Sequence, residues 1–269
     1  MSTLDRQKPT KINRLLTGWP QGTVATYSWL EQHGVSRQLA SQYRRYQWLS
    51  SFGHGAFVRT GDSVNWMGAL YPVQREPACT IHVAGKTALL LQGYAHFLVA
   101  GENAPVWLLG RPGERLPGWF VRHPWPGRVR YFTTELFGTT ARTEGLSTYD
   151  AGGFSIRVAA PERAILEVLY FLPQEQTFEE ARLLMEGLTT LRPKVVQSLL
   201  TACVSVKVKR LFLVLAEACG HRWLSLVDLT AVSLGSGKRV VVPGGRLHPK
   251  YHITVPAEVM PQKAESEGP

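Results

Sequence analysis

One short stretch near the N-terminus concentrates side chains that could bind nucleic acid. Six hydrogen-bonding residues share one side of a segment with helical spacing, and none of them is acidic: Arg37, Gln38, Ser41, Gln42, Arg44 and Arg45. Arginine and glutamine carry paired groups that match the major-groove edges of guanine and adenine, and arginine also pairs with phosphate. We expect Arg44 to bind phosphate and the other five side chains to lie nearest the base edges. The alternative is a solvated helix face that has no partner.

Two helices joined by a tight turn are predicted to carry this face. Thr26 is a good N-cap for a helix over residues 27–32, and Gly34 can adopt the left-handed conformation that ends it. Ser36 caps a third helix over about residues 37–47. The apolar stripe that buries this third helix consists of Val35, Leu39, Tyr43 and Tyr46. A helix that presents arginine and glutamine outward after a glycine turn is the pattern of a helix-turn-helix.

A short first helix and a hairpin complete the predicted module. Ile12, Leu15 and Leu16 have the spacing of an amphipathic helix within residues 11–16. Two apolar segments on either side of the glycine-rich residues 53–55 predict a hairpin, the wing of a winged helix-turn-helix. Further contacts to the DNA backbone or the minor groove are expected from Lys11, Arg14, His54 and Arg59.

The charge of the whole chain agrees with a polyanionic partner. The chain has 269 residues, with 30 Lys and Arg against 20 Asp and Glu, and a formal net charge of +10 at pH 7. Residues 1–60 hold eight of the basic and two of the acidic residues. The positive excess is therefore concentrated in the predicted module, as expected for a nucleic-acid footprint. A hydrophobic content of 44% excludes a disordered chain.

The rest of the chain contains strand signals followed by helix signals. Strand-like segments cover residues 79–83, 106–109, 129–132 and 154–158, and helices are predicted to start near Pro161, Thr177, Pro193 and Lys209. We therefore predict an α+β fold, with a winged helix-turn-helix followed by a mixed α+β C-terminal domain. The expected boundaries are 1–62 for the DNA-binding domain, 63–100 for a connecting strand and helix, 101–256 for the C-terminal domain and 257–269 for a disordered tail.

Other chemical motifs in the sequence are incomplete. Residues 85–87 (Gly-Lys-Thr) follow a predicted strand, but a phosphate-binding loop needs a glycine at the position of Thr80. His248 and His252 are separated by Pro249, which argues against a helix that would align them on a metal ion. No serine has the flanking glycines of a hydrolase nucleophile. We therefore expect a protein that is not an enzyme, with no catalytic residues, no metal and no cofactor.

The sequence also predicts where the protein acts. Its first thirty residues contain no apolar run long enough for a signal peptide, and its longest apolar stretches are too short or too interrupted to span a bilayer. Cys79, Cys203 and Cys219 are scattered, so they suggest neither a disulfide framework nor a zinc site. We predict a cytoplasmic protein.

Several stretches of the chain resemble AbiE-type (AbiEi) antitoxins, the regulator halves of bacterial abortive-infection toxin–antitoxin pairs that are often classed as type IV. The similarity lies in residues 12–16, 22–24, 29–30, 34–39, 48–49, 53–56 and 82–96. The most specific part is residues 85–96, which begin Gly-Lys-Thr-Ala-Leu and end Gln-Gly-Tyr-Ala-His. The resemblance implies a winged helix that binds inverted repeats of double-stranded DNA in its own promoter and represses the operon. It also implies a C-terminal domain that counteracts a nucleotidyltransferase toxin.

Two other functions remain open from the sequence. The chain could be an interaction module that sequesters a toxin directly through residues 101–256, with DNA binding secondary. A nucleic-acid-processing enzyme could also lie in the C-terminal half. The first alternative predicts a stable co-purifying partner, and the second predicts activity of the isolated protein on DNA, RNA or nucleotides.

Overall fold

The chain divides into two compact units. A computed structural model describes residues 10–95, 103–139, 141–242 and 244–259. The first unit consists of Met1–Ile81, Glu114–Pro126 and Thr148–Ile156, and the second consists of His82–Gly113, Gly127–Ser147 and Arg157–Pro269.

Both units contain helices and strands. The α-helices are α1 Lys11–Gly18, α2 Tyr27–Gln32, α3 Arg37–Arg45, α4 Trp66–Gln74, α5 Gly85–Leu91, α6 Gly118–Val121, α7 Pro161–Tyr170, α8 Phe178–Glu186, α9 Pro193–Ala202 and α10 Val206–Ala218. The strands are β1 Ala25–Thr26, β2 Leu49–Gly53, β3 Ala56–Arg59, β4 His82–Val83, β5 Val106–Gly110, β6 Val129–Thr133, β7 Leu146–Asp150, β8 Ser155–Ala159, β9 Arg246–Leu247 and β10 Thr254–Val255. Short 3-10 helices follow at Arg222–Leu226, Leu229–Ala231 and Ala257–Val259. This mixture confirms the predicted α+β class.

Polar caps fix the helices of the first unit where the sequence predicts them. The Oγ1 of Thr26 accepts a hydrogen bond from the backbone N of Trp29 at 3.2 Å, so α2 has its predicted bounds. The Oγ of Ser36 accepts one from the backbone N of Leu39 at 3.2 Å and starts α3. Between the two helices, Gly34 has a φ of +74°, the left-handed conformation that favours glycine.

A small antiparallel sheet closes this module. Its strand order is β1-β3-β2, with Ala25 paired to Phe57 and Leu49 paired to Arg59. The buried core between helices and sheet consists of Ile12, Leu15, Trp19, Ala25, Leu30, Val35, Ala40, Tyr43, Leu49 and Phe57. The order of helix, strand, two helices and two strands is the one expected for a winged helix-turn-helix.

The end of α3 differs from the prediction. The helix ends at Arg45 rather than near residue 47, because Gln47 takes a left-handed conformation with a φ of +57° and turns the chain toward β2. Tyr46, predicted to belong to the buried stripe, is 64% exposed. Ala40 takes its place in the core beside Tyr43.

The two units also differ from the predicted domain boundaries. Segment 63–100, expected as a connection, is divided between them, and segments Glu114–Pro126 and Thr148–Ile156 join the first unit instead of the C-terminal domain. Within that unit the backbone N of Thr80 donates to Oε1 of Glu114 at 2.8 Å, and the rings of Tyr71 and Phe154 lie 5.3 Å apart. These contacts join residues far apart in the sequence, so no local pattern predicts them.

Helix α4 approaches the loop before β1 so closely that only glycine fits at position 68. A Cβ at Gly68 would lie 1.8 Å from the carbonyl O of Gly22. Alanine in a helix interior is normally more favourable than glycine by about 1 kcal/mol. We nevertheless expect Gly68→Ala to lower the free energy of unfolding by about 2 kcal/mol or more, because the clash is with backbone.

Denaturation of the full chain by urea measures this effect. The control is Gly18→Ala in α1, where nothing lies within 4 Å of an added Cβ. A Gly68→Ala protein as stable as the control variant would show that the approach of α4 is not as close as described.

The second unit contains β6, β5 and β4, which are neighbours in this order in a mixed sheet. Strand β5 pairs antiparallel with β4 and parallel with β6. The turn Ala257–Val259 contacts α10, and Val259 is buried, although a disordered tail was predicted from residue 257. The packing of one apolar residue, Val259, hardly changes the composition of the segment, so the sequence does not predict it. The remainder of the predicted tail, 260–269, lies outside the described residues.

Candidate nucleic-acid interface

The outer side of α3 forms a continuous polar face, which we call the α3 face. It is made of the exposed side chains Arg37, Gln38, Ser41, Gln42, Arg44 and Arg45. The opposite side of the helix is anchored by Ala40 and Tyr43, which are buried in the core of the first unit. Because that packing fixes the rotation of the helix, the structure brings all six predicted residues to one surface.

One end of the α3 face meets a carboxylate that the sequence pattern did not predict. The Nε of Arg37 lies 3.6 Å from Oε1 of Glu31, and the two side chains are 76% and 53% exposed. The same guanidinium lies 5.2 Å from the centre of the Tyr27 ring. An exposed ion pair of this kind contributes about 1 kcal/mol or less, so Arg37 can exchange Glu31 for a nucleic-acid group. Glu31 belongs to α2, so the acid-free pattern of α3 gives no sign of this contact.

Arg44 and Arg45 are free of such pairs. Within the described parts of the chain, neither guanidinium has a carboxylate within ion-pairing distance. Both belong to the last turn of α3. Their charges are therefore available to a partner at the surface.

Two predicted phosphate contacts lie on α1, beside the turn between α2 and α3. Lys11 and Arg14 are both exposed. A Cβ at Gly34 would lie 3.4 Å from Cε of Lys11, so the lysine stem passes over this turn. The Nζ of Lys11 lies 3.7 Å from the same Cβ position, at the turn that precedes α3.

The hairpin exposes one of its two predicted residues, whereas the other is half-buried. His54 is exposed at the tip, next to Gly55, whose φ is +75°. Arg59 is different, because its side chain is only 20% exposed. Its Nε donates to Oδ2 of Asp62 at 3.1 Å and its Nη1 donates to the carbonyl O of Leu16 at 3.2 Å. This side chain therefore ties α1 to the end of β3, and a DNA contact by Arg59, which stays a prediction, would have to replace these hydrogen bonds.

The incomplete phosphate-loop motif at residues 85–87 binds a carboxylate of the chain itself. Oε2 of Glu167 accepts a hydrogen bond from the backbone N of Gly85 at 3.0 Å, at the start of α5. Its Oε1 accepts from Nε of Arg163 at 2.8 Å and lies 2.8 Å from Nε2 of His82. Lys86 pairs with Glu180 at 3.1 Å. The groups that would have to hold a phosphate are therefore already bound within the protein.

The buried position of Glu167 affects its proton affinity. Burial on its own would raise the pKa of this carboxyl group. The charges and hydrogen bonds of His82 and Arg163 outweigh that effect, and they hold the pKa of Glu167 below its ordinary value. The carboxylate is ionised and holds β4, α5 and α7 together.

Within the described residues, none of the helices is long and apolar enough to cross a membrane. The same residues contain no group of three or more His, Cys, Asp or Glu side chains placed to hold a metal ion.

Comparison with known proteins gives matches to two family models. Residues 8–100 match a model described as the N-terminal domain of the AbiEi antitoxin, a transcriptional regulator. Residues 103–256 match a model described as the AbiEi antitoxin, a transcriptional regulator of a type IV toxin–antitoxin system. The two matches together span most of the chain.

A similar fold is found among solved structures. The crystal structure of the RV2827C protein from Mycobacterium tuberculosis is similar over 93% of this chain and 92% of that chain, with a TM-score of 0.58 and 17% sequence identity. At this identity the similarity shows the fold alone. No curated protein matches the sequence.

Proposed function

Because the chain belongs to the AbiEi antitoxin family of transcriptional regulators, we propose that it represses its own promoter by docking α3 in the major groove of operator DNA. The observation that carries the proposal is the α3 face, where exposed arginine and glutamine side chains project from a helix anchored by its buried side. Such a helix is the reading element of helix-turn-helix proteins.

The residue types suggest which side chains contact bases and which contact phosphates. Arg37 and Arg45 suit bidentate contacts to guanine, Gln38 and Gln42 suit adenine, and Ser41 suits either. Phosphate contacts come from Arg44, Lys11 and Arg14 on the sides of the α3 face, and His54 reaches the backbone or the minor groove from the hairpin tip. Arg59 is left out because of its internal hydrogen bonds.

The partners follow from the same proposal. Two copies of the chain bind the halves of an inverted repeat, since the symmetry of such operators mirrors that of a protein pair. We also propose that the protein counteracts a nucleotidyltransferase toxin, that it acts in the cytoplasm, where the operator is, and that it is a regulator without enzymatic activity.

Titration of the full chain against a fluorescent duplex from the region upstream of its own gene tests the DNA-binding part. We expect tight binding to this duplex and much weaker binding to a scrambled duplex of equal length. Three phosphate-binding cations per half-site and two half-sites predict a slope of about −5 in log affinity against log salt concentration. Equal affinity for both duplexes would contradict operator recognition, and a stable co-purifying partner without DNA binding would favour the interaction module instead.

A further inference from the structure

We propose that the segment Glu114–Pro126, which we call the wing support, adds a second contact to the DNA backbone beyond the hairpin. This inference rests on the proposed function, because it extends the same interface. The segment lies far from the hairpin in the sequence, within the range 101–256 that was predicted to form the C-terminal domain. In the structure it belongs to the first unit.

The wing support packs directly on β2. The ring of Phe52 stacks on His123 with their centres 4.4 Å apart, and the rings of Trp119 and Trp125 lie 6.1 and 6.0 Å from it. A Cβ at Gly53 would lie 2.7 Å from Cβ of Trp119. The hairpin turn at His54 follows immediately, so the wing support continues the surface of the hairpin.

Internal contacts fix the shape of this segment. Its Trp119 and Phe120 are buried, and Nε1 of Trp125 donates to the carbonyl O of Phe120 at 2.9 Å. At its start, the Glu114 carboxylate accepts hydrogen bonds from the backbone N of Thr80 at 2.8 Å and from its Oγ1 at 2.5 Å. These contacts hold the wing support in one conformation.

The outward charge of the wing support is positive. Glu114 is its one acidic residue, and that carboxylate is bound to Thr80. Arg115 and Arg122 are exposed, and within the described residues neither is close enough to a carboxylate to form an ion pair. Arg122 folds back over Gly118, where a Cβ would lie 3.0 Å from its Nη2.

His123 differs from the two arginines because its side chain carries no charge at pH 7. Burial lowers the pKa of its imidazole, so the ring is neutral at pH 7 and serves as a stacking surface for Phe52. The charge that this segment offers to a partner comes from Arg115 and Arg122.

Duplex DNA is the partner that fits this surface. With α3 in the major groove, the hairpin lies over the neighbouring part of the duplex, and a positive surface continuous with the hairpin meets the next phosphates along the backbone. Phosphates are regularly spaced along either strand, so exposed arginines can bind them without sequence preference. The wing support therefore adds affinity and lengthens the footprint.

The test compares the full-length protein with its Arg115→Ala/Arg122→Ala variant on two operator duplexes. One duplex extends beyond the hairpins of both bound copies, and the other is truncated on those sides. We expect the variant to lose about tenfold in affinity on the long duplex and less than about twofold on the short one. Two arginines in each of two copies predict a loss of about 4 in the salt slope on the long duplex. Lys194→Ala/Arg222→Ala removes two exposed charges from the second unit and is the matched control.

The outcomes separate this proposal from the proposed function. If the wild type binds the operator and the double variant behaves like the control on the long duplex, the wing support makes no contact and only this inference fails. Equal losses on both duplexes would also overturn it, because the contact would not lie beyond the hairpin. Failure of the wild type to bind either duplex would overturn the proposed function and this inference together.

Discussion

Replacing Arg37 and Arg45 together with alanine is expected to weaken binding to the operator duplex about thirtyfold or more. Each bidentate arginine–guanine contact contributes about 1–3 kcal/mol of discrimination, so the loss of two contacts costs about 2 kcal/mol at the least. The variant should also bind operator and scrambled duplexes with more similar affinity, because it retains its phosphate contacts. Fluorescence anisotropy on both duplexes at fixed salt measures the two effects.

Two other variants serve as controls for this result. Arg14→Ala removes an exposed cation assigned to phosphate, and it should lower affinity for both duplexes by a similar factor. Lys194→Ala/Arg222→Ala removes the same number of charges as the double variant but from the second unit, and we expect little change. Operator affinity and selectivity that survive in Arg37→Ala/Arg45→Ala would remove the α3 face from the account.

Replacing Glu167 with alanine is expected to lower the free energy of unfolding by about 3–5 kcal/mol. The substitution leaves Arg163 buried without its carboxylate and removes the acceptor at the start of α5. Denaturation by urea at pH 7 measures the loss. The control is Glu179→Ala, an exposed position on α8, for which we expect a change within about 1 kcal/mol.

The pH dependence of stability gives a second readout for Glu167. Its pKa is below the ordinary value in the folded protein, so the stabilisation is fully present above the unfolded pKa of about 4.3 and is lost as the pH falls through the folded pKa. Glu167→Gln cannot ionise and should lose less stability than the wild type between pH 7 and pH 3. A Glu167→Gln protein that is as stable as the wild type at pH 7 would contradict the role of the buried carboxylate.

The helix-turn-helix could be predicted from the sequence because local signals define it. Thr26, Gly34 and Ser36 act on residues within one turn of themselves, and the structure confirms the helix α2 and the turn that they predict. The end of α3 was placed too late, since Tyr46 fits an apolar stripe as well as it fits an exposed turn. Only the backbone conformation of Gln47 decides between the two.

Contacts between distant parts of the chain could not be predicted in this way. Arg59 was expected at the DNA because it follows an apolar strand, but Asp62 and the carbonyl group of Leu16 bind it. The packing of Trp119 on Gly53 joins the wing support to the hairpin across more than sixty residues. Arg37 lies on the exposed side of α3, as the apolar stripe predicts, but its contact with Glu31 of α2 is not visible in the sequence.

Photo-cross-linking from position 41 tests the central claim most directly. Ser41 lies on the exposed side of α3, and Thr201 is an exposed control position on α9. Each is replaced by a photo-reactive amino acid in the full chain, and both proteins are irradiated with saturating operator duplex. The account predicts a cross-link to DNA from position 41 and none from position 201. A protein that binds the duplex but does not cross-link from position 41 would contradict it.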